Sequence, residues 1–257
     1  MIDLWLRSGT LGIIFVPFIV LYGVSGAIVW LTQLSPMRPF FVSCIGITGP
    51  FFASVAVLFS LFAAFLANDV QHRVGEAQGA VLREADGIRT ILRLSEAMGA
   101  PGVPLKTAVV DYGRAVLEKE WPRMQEEGKA VEDVEAFRSL TRAVMAPELT
   151  AALPAAAHQV ILSGLVEIRQ ARRERFSLFA HESDPVNWLG MLILGVATQF
   201  AIAVVQLDKL RPQALALFVF TTAFAATAVL VGLAERPFMG KHIGDGPLRA
   251  AIASANQ

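Results

Sequence analysis

The chain shows two kinds of hydrophobic pattern: four unbroken apolar runs, and a long stretch between the second and third in which apolar residues recur only at helical intervals. The first run, Leu11 to Leu31, is long enough to cross about 30 Å of hydrocarbon. Trp5 and Trp30 fall near its two ends, where aromatic belts sit. No small-residue cleavage pattern follows it, so it reads as a retained span and not as a signal peptide. A short link, TQLSPMRP, leads to a second span, Phe40 to Ala67, whose first third holds Gly46, Gly49 and Pro50. A kink or a close helix approach is expected there. The third span is Trp188 to Leu207 and the fourth is Ala214 to Leu233, and the DKLRP link between them forces an antiparallel hairpin.

The second span organises the rest. No Gly or Pro interrupts the sequence between Phe51 and Val74, so a helix entering the membrane can leave it without a break. At three- and four-residue spacing, Phe51, Val55, Leu58, Phe62, Phe65 and Asp69 share one line, with Phe52, Ala56, Phe59 and Ala63 on the neighbouring one. Such an aromatic wall either packs against lipid and other helices or lines a lumen. From Asn68 to Pro185 nothing is apolar enough to span. Val74, Val81 and Ile88, with Ala77 and Ile91, continue the helix at near-heptad spacing to about Met98, where GAPGVP stops it. Further amphipathic helices are expected at Leu105 to Glu120, ended by Pro122, and at Val131 to Met145. A last one after Pro147 carries the apolar line Val160, Leu165, Ile168 and Phe176, with Pro154 disturbing its start and HESDP closing it.

The expected fold is therefore all-α and integral to a membrane, with four transmembrane helices and a helical insert. The divisions are residues 1–67 (spans one and two), 68–185 (insert), 186–235 (spans three and four) and 236–257 (tail). Four spans place the amino terminus, insert and tail on one side. That side holds Arg7, Arg73, Arg83, Arg169, Arg172, Arg173, Arg175, Arg236, Lys241 and Arg249, against Arg38, Lys209 and Arg211 on the other. The positive-inside rule makes the first side cytoplasmic.

Composition agrees with this picture: 54% hydrophobic and 17% charged residues, with a positive mean hydropathy, are too apolar for an ordinary soluble domain. The formal net charge of zero gives no reason to expect a nucleic-acid partner. Cys44 is the only cysteine, which excludes a disulfide or a thiolate metal cage within one chain. There is no phosphate-binding Gly loop, paired-His metal motif or nucleophile elbow, and His72, His158, His181 and His242 lie far apart. Carboxylate pairs such as Glu118 with Glu120, or Glu126 with Glu127, read as surface charge of the insert. No cofactor, metal site or enzymatic chemistry is implied.

Four segments carry a resemblance to a known family: LANDVQHRVGEAQGAVLREADGIRTILRL, AVVDYGRAVLEKEWPRM, LVEIRQARRERF and AERPFMGKHIGDGPLRAAI. They resemble the bacterial bestrophin-like family of four-span proteins of unknown function, from about Phe51 to Ile252. Glu235, Pro237 and Phe238, then Pro247 and Leu248, are the most specific part. More distantly, the order of spans is similar to that of bestrophins, whose second span lines a central pore in a ring of subunits. The resemblance implies a homo-oligomeric ion channel with a hydrophobic neck, here at Leu58, Phe62 and Phe65, with Glu235, Pro237 and Phe238 as a tail contact. Two features depart from it. VQHRV stands where bestrophins have paired tryptophans, and the tail offers only Asp245 amid KHIG where they have an acid-rich calcium clasp, too few oxygens for Ca²⁺.

The chemistry of a pore can be read from the residues as well. Rings of Phe and Leu around an axis repel water, and a polar residue beyond them meets the rehydrated ion. Asn68, Asp69, His72 and Arg73 occupy that position; Asp69 would attract cations, and His72, Arg73 or the Arg169 to Arg175 run would attract anions if they face a lumen. Alternatively Asp69 is a solvated residue at the membrane edge, and the arginines anchor the chain at the headgroups. Glu235 either marks an interfacial stop or pairs with an arginine of the insert. Expected partners are lipid, small monovalent ions (anions slightly favoured) and further copies of the chain, as a tetramer or pentamer, five being what the resemblance implies. The reading from a different class is a membrane-anchored sensor or scaffold whose cytoplasmic helices bind a protein or ligand without conducting ions.

Overall fold

The computed structural model describes residues 5, 9–43, 49–127, 134–180, 185–238 and 243–256. Arg7, Cys44, Gly46, Gly128, His181, Lys241 and His242 lie outside the described residues, as do the HESDP segment up to Asp184 and the stretch 131–133. Among the described residues there is no strand, and four helices are long and apolar enough to cross a membrane. In order, the helices are α1 (Gly9–Val29), α2 (Arg38–Ser43), α3 (Gly49–Ala97), α4 (Val103–Ala115) and α5 (Val134–Val144). They continue with α6 (Pro147–Ala152), α7 (Ala155–Ala180), α8 (Pro185–Val205), α9 (Leu210–Ala234) and α10 (Gly246–Ala253).

The chain divides into two compact units, Met1–Gln71 with Ser183–Glu235, and His72–Glu182 with Arg236–Gln257. The first, apolar unit contains α1, the start of α3, α8 and α9. Helices immersed in lipid gain little from burying apolar side chains against one another, so polar contacts and close packing hold them. Accordingly, the Tyr22 and Thr222 hydroxyls lie 2.7 Å apart, as do those of Ser25 and Thr221. Gln199 donates to the Thr221 hydroxyl at 2.9 Å. Farther along, Gln33 donates to Gln213 at 2.9 Å, and Gln213 donates to the Ala203 carbonyl at 2.7 Å. These bonds join α1 to α8 and α9, which form the expected hairpin over the turn at Gln206–Lys209. The start of α3 meets this group through rings: Phe59 packs edge-on against Phe220 at 5.4 Å and Phe224 at 5.0 Å.

In the second, polar unit, the heptad positions of α3 fall as their spacing predicts, with Ala77, Val81, Ile88 and Ile91 buried. They share a core with Val109 and Tyr112 of α4, Leu140 of α5, Ile161 and Ile168 of α7, and Leu248 and Ala251 of α10. Gly87 of α3 and Gly164 of α7 make the close approach possible, since a Cβ at Gly87 would stand 2.9 Å from the Gly164 carbonyl oxygen. Gly99, at φ +65°, ends the α3 segment in the left-handed region that glycine adopts without strain.

Residues 44–48, between α2 and α3, lie outside the described residues, and Pro50 stands in the first turn of α3, where its missing N–H costs nothing. Two expectations are corrected. Pro122 does not end the helix after α4. Two π-helical turns, Val116–Glu120 and Arg123–Glu127, flank it and carry the chain past it. On α7 the buried line begins at Ile161, whereas Val160 points outward at 44% exposure.

Candidate functional site

Each of the membrane-length helices leaves apolar side chains uncovered by its own unit, and on α3 they form one face. Helical geometry places Ser54, Leu61 and Asn68 seven residues apart on one line, flanked by Val57, Leu58 and Phe65, and all of these are exposed. Val57 and Phe65 are the most open of the large side chains, at 64% and 62% exposure; Leu58 is half-exposed and Phe62 stands at the edge of the face at 38%. The neighbouring line turns inward: Phe52, Ala56, Phe59 and Ala63 are partly buried. So the three expected neck residues, Leu58, Phe62 and Phe65, share the outward face, and the face also includes Val57 and Leu61. Leu61 was legible in the seven-residue line Ser54, Leu61 and Asn68, and Val57 lies one turn before it.

Of the polar residues beyond the apolar face, Asn68 is exposed and Asp69 half-buried. In the second unit, His72 is exposed, with its Nδ1 3.4 Å from Glu76, and Arg73 is half-buried. Glu235 is buried at the end of α9, where its amide donates to the Val231 carbonyl at 3.0 Å. Phe238 is buried with its ring 6.1 Å from Trp121 and 6.4 Å from Phe179, and Pro237 is buried beside it in the chain.

The arginine run resolves differently from its sequence. Arg169 and Arg173 are exposed, while Arg172 and Arg175 are buried and face neither a lumen nor lipid headgroups. Arg175 grips Glu84 with two nitrogens, Nε to Oε2 at 2.9 Å and Nη2 to Oε1 at 3.2 Å, and reaches Glu120 at 2.8 Å. Arg172 donates to the other oxygen of Glu120 at 2.6 Å. Glu120, read as surface charge, is 1% exposed. The π turns supply the geometry, placing Glu120 and Met124 on the side of Arg175, with Met124 Sδ 3.1 Å from Nη1. The Tyr112 hydroxyl donates to Glu84 at 2.5 Å. Burial, followed by the charge of Glu84, holds this phenol well above its ordinary pKa. With two cations and two carboxylates the cluster is internally neutral, which makes it a structural clamp and not an ion-attracting surface. Among the described residues no group of three or more His, Cys, Asp or Glu could hold a metal ion.

An uncovered apolar helix face, a helix that outlasts the bilayer and a ring-lined tail are the features against which the comparisons are set. The family model described as a Bestrophin-like domain matches residues 19–242. The chain belongs to the Bestrophin-like family. Solved structures repeat the fold of this bestrophin-like chain across nearly its whole length. A variant of a bacterial bestrophin homologue from Klebsiella pneumoniae, with a tryptophan replaced by alanine, aligns at a TM-score of 0.70 and 14% identity, covering 97% of this chain and 96% of that one. A further structure of that homologue aligns at 0.64 and 13%, covering 94% and 95%. A structure described only as a membrane protein aligns at 0.69 and 12%, covering 92% and 95%. No match is found among curated protein sequences. The all-α, four-span architecture is thus common to this chain and to those homologues, at identities that carry the fold alone.

Proposed function

We propose that this bestrophin-like chain is the subunit of a homo-oligomeric channel for small monovalent ions, with the outward face of α3 surrounding the conduction axis. The observation that carries the reading is that face: Val57, Leu58, Leu61, Phe62 and Phe65 are uncovered on a helix of the membrane unit, and Asn68 follows them on the same line. Facing copies of itself, this stripe forms a dry neck that hinders ion passage by repelling water. Asn68, Asp69, His72 and Arg73 then meet the ion as it regains its hydration shell. Four or five copies close such a ring, and the likeness to bestrophins favours five. With Arg172 and Arg175 engaged internally, a slight anion preference rests on His72 and Arg73. The insert (68–185) and tail (236–257) lie in the cytoplasm with both termini, in a bacterial inner membrane, because basic residues concentrate there. Glu235, Pro237 and Phe238 tie the tail to its surroundings and carry no ion.

Ion-substituted flux through vesicles containing the purified protein tests this. Phe62→Ala or Phe65→Ala widens the neck, so flux rises or becomes ungated. If these rings only pack against lipid or other spans, the same changes cost about 3–5 kcal/mol of stability by analogy with soluble cores, without raising flux. The sensor or scaffold reading draws on a different observation, an open groove of about 420 Å³ between α4 and α5 lined by Thr107, Asp111, Lys119, Glu135 and Ser139. Negligible flux in wild type and both variants, with the oligomer intact, would favour that second reading. For orientation, an impermeant thiol reagent should label Arg38→Cys from outside the cell and leave Asp86→Cys unlabelled.

A further inference from the structure

Phe62, at the edge of the outward face, has a second span behind it. One side of its ring lies against Gly190 of α8: a Cβ at position 190 would stand 2.8 Å from the ring's Cε1 and 3.0 Å from Cδ1. Carbon atoms in good contact are about 3.5–4.0 Å apart, so the ring keeps its place because position 190 carries only a hydrogen. The same device recurs five residues on, where a Cβ at Gly195 would fall 2.3 Å from the ring of Phe224, and Phe224 in turn receives the edge of Phe59. Phe59 of α3 thereby sits against two neighbouring rings of α9, Phe220 and Phe224. Phe62 meets Gly190 on one side and is 38% exposed.

Resting on the channel reading above, we infer that Gly190 is a positioning residue of the neck. It forms a recess on the third span that holds the Phe62 ring back from the outward face, so two spans set the width of the neck together. A methyl group at 190 has to displace something, and of its neighbours the Phe62 ring has an open side to move toward. That side is the lumen in the proposed assembly. The displacement therefore narrows the neck, the reverse of what truncating the ring does.

The test is a set of variants in vesicles, each checked for an intact oligomer: Gly190→Ala, Phe62→Ala, both together, and Gly190→Ala with Phe65→Ala. Gly190→Ala should lower flux about tenfold, the factor that about 1.4 kcal/mol added to the barrier for passage produces. In the Phe62→Ala background it should do nothing, because the ring it pushes is gone. In the Phe65→Ala background the full decrease should persist, which a general packing defect on α8 would not arrange. Should Gly190→Ala fail to assemble, Phe62→Trp serves instead: the recess has no further room, so the added ring goes outward and flux falls. Unchanged flux in Gly190→Ala, an equal decrease with and without the Phe62 ring, or undiminished flux in Phe62→Trp would each overturn the inference. If Phe62→Ala nevertheless raises flux, the channel reading stands without it. Absence of flux from wild type and every variant would overturn both.

Discussion

Arg175 offers the sharpest test of the energetics. Its guanidinium and the Glu84 carboxylate are both wholly buried, and Glu120 is 1% exposed. Replacing Arg175 with Met does not affect the two carboxylates equally. Glu120 keeps Arg172 at 2.6 Å, so its charge remains compensated. Glu84 keeps the neutral Tyr112 hydroxyl and loses its cation. Removing one partner of a buried pair costs about 3–5 kcal/mol, mainly because a charge is left in a medium that solvates it badly. At about 2–4 °C per kcal/mol for a domain of this size, the midpoint should fall by about 6–20 °C. The cause is the orphaned charge and not lost volume, so Glu84→Gln added to Arg175→Met should recover most of the loss, to within about 1–2 kcal/mol of wild type. The tryptophan emission of the detergent-solubilised protein is a suitable readout, since Trp121 is buried next to Glu120. All variants must be heated at one scan rate, because membrane proteins seldom refold from such transitions. A loss below about 1 kcal/mol, the size of an exposed pair, would refute the reasoning. So would a double variant that melts no higher than Arg175→Met alone.

Two further outcomes follow from the polar unit. Because the Tyr112 phenol is held above its ordinary value, its contribution is complete below the unfolded pKa of about 10 and is lost as pH climbs through and beyond it. Alkaline unfolding should thus begin at higher pH in Tyr112→Phe, and an unchanged onset in a pH-resolved melting series would contradict this. Gly102 closes the turn between α3 and α4, where a Cβ would stand 1.9 Å from the Ser95 carbonyl oxygen. Backbone cannot yield as a side chain does, so Gly102→Ala should cost about 2 kcal/mol or more, read as a lowered melting midpoint. A midpoint within a degree of wild type would count against the placement of that turn.

How much of this was legible depended on whether the signal was local. The spans and the heptads of α3 could be read because apolar length and spacing are properties of one segment. The outward face could be located only to about half a turn, since Phe59 and Phe65 are the same residue on adjacent lines, and what separates them is Phe220 and Phe224 on another helix. Val160 and Ile161 are equally apolar neighbours, so composition gave no reason to choose between them. Arg172 and Arg175 looked like surface charges because their partners, Glu120 and Glu84, lie 52 and 91 residues away. Pro122 looked like a stop because a π turn has no compositional mark of its own. Gly190 was invisible for the same reason as the clamp: its meaning lies in a ring more than a hundred positions earlier in the chain.

The polar unit is assembled from two separate stretches of sequence, and this sets the timetable of its folding. Phe238, Leu248 and Ala251 belong to the same core as Ile88, Tyr112 and Ile168, yet the ribosome makes them after both helices of the α8–α9 hairpin. About 60 residues separate the end of α7 from Phe238, a delay of roughly 3–12 s at ordinary rates of synthesis. Throughout that interval Trp121 and Phe179 lack the ring of Phe238 that packs against them in the finished fold. A chain cut short just before Pro237 would carry every membrane-length helix found among the described residues and still lack Phe238, Leu248 and Ala251 from its polar core.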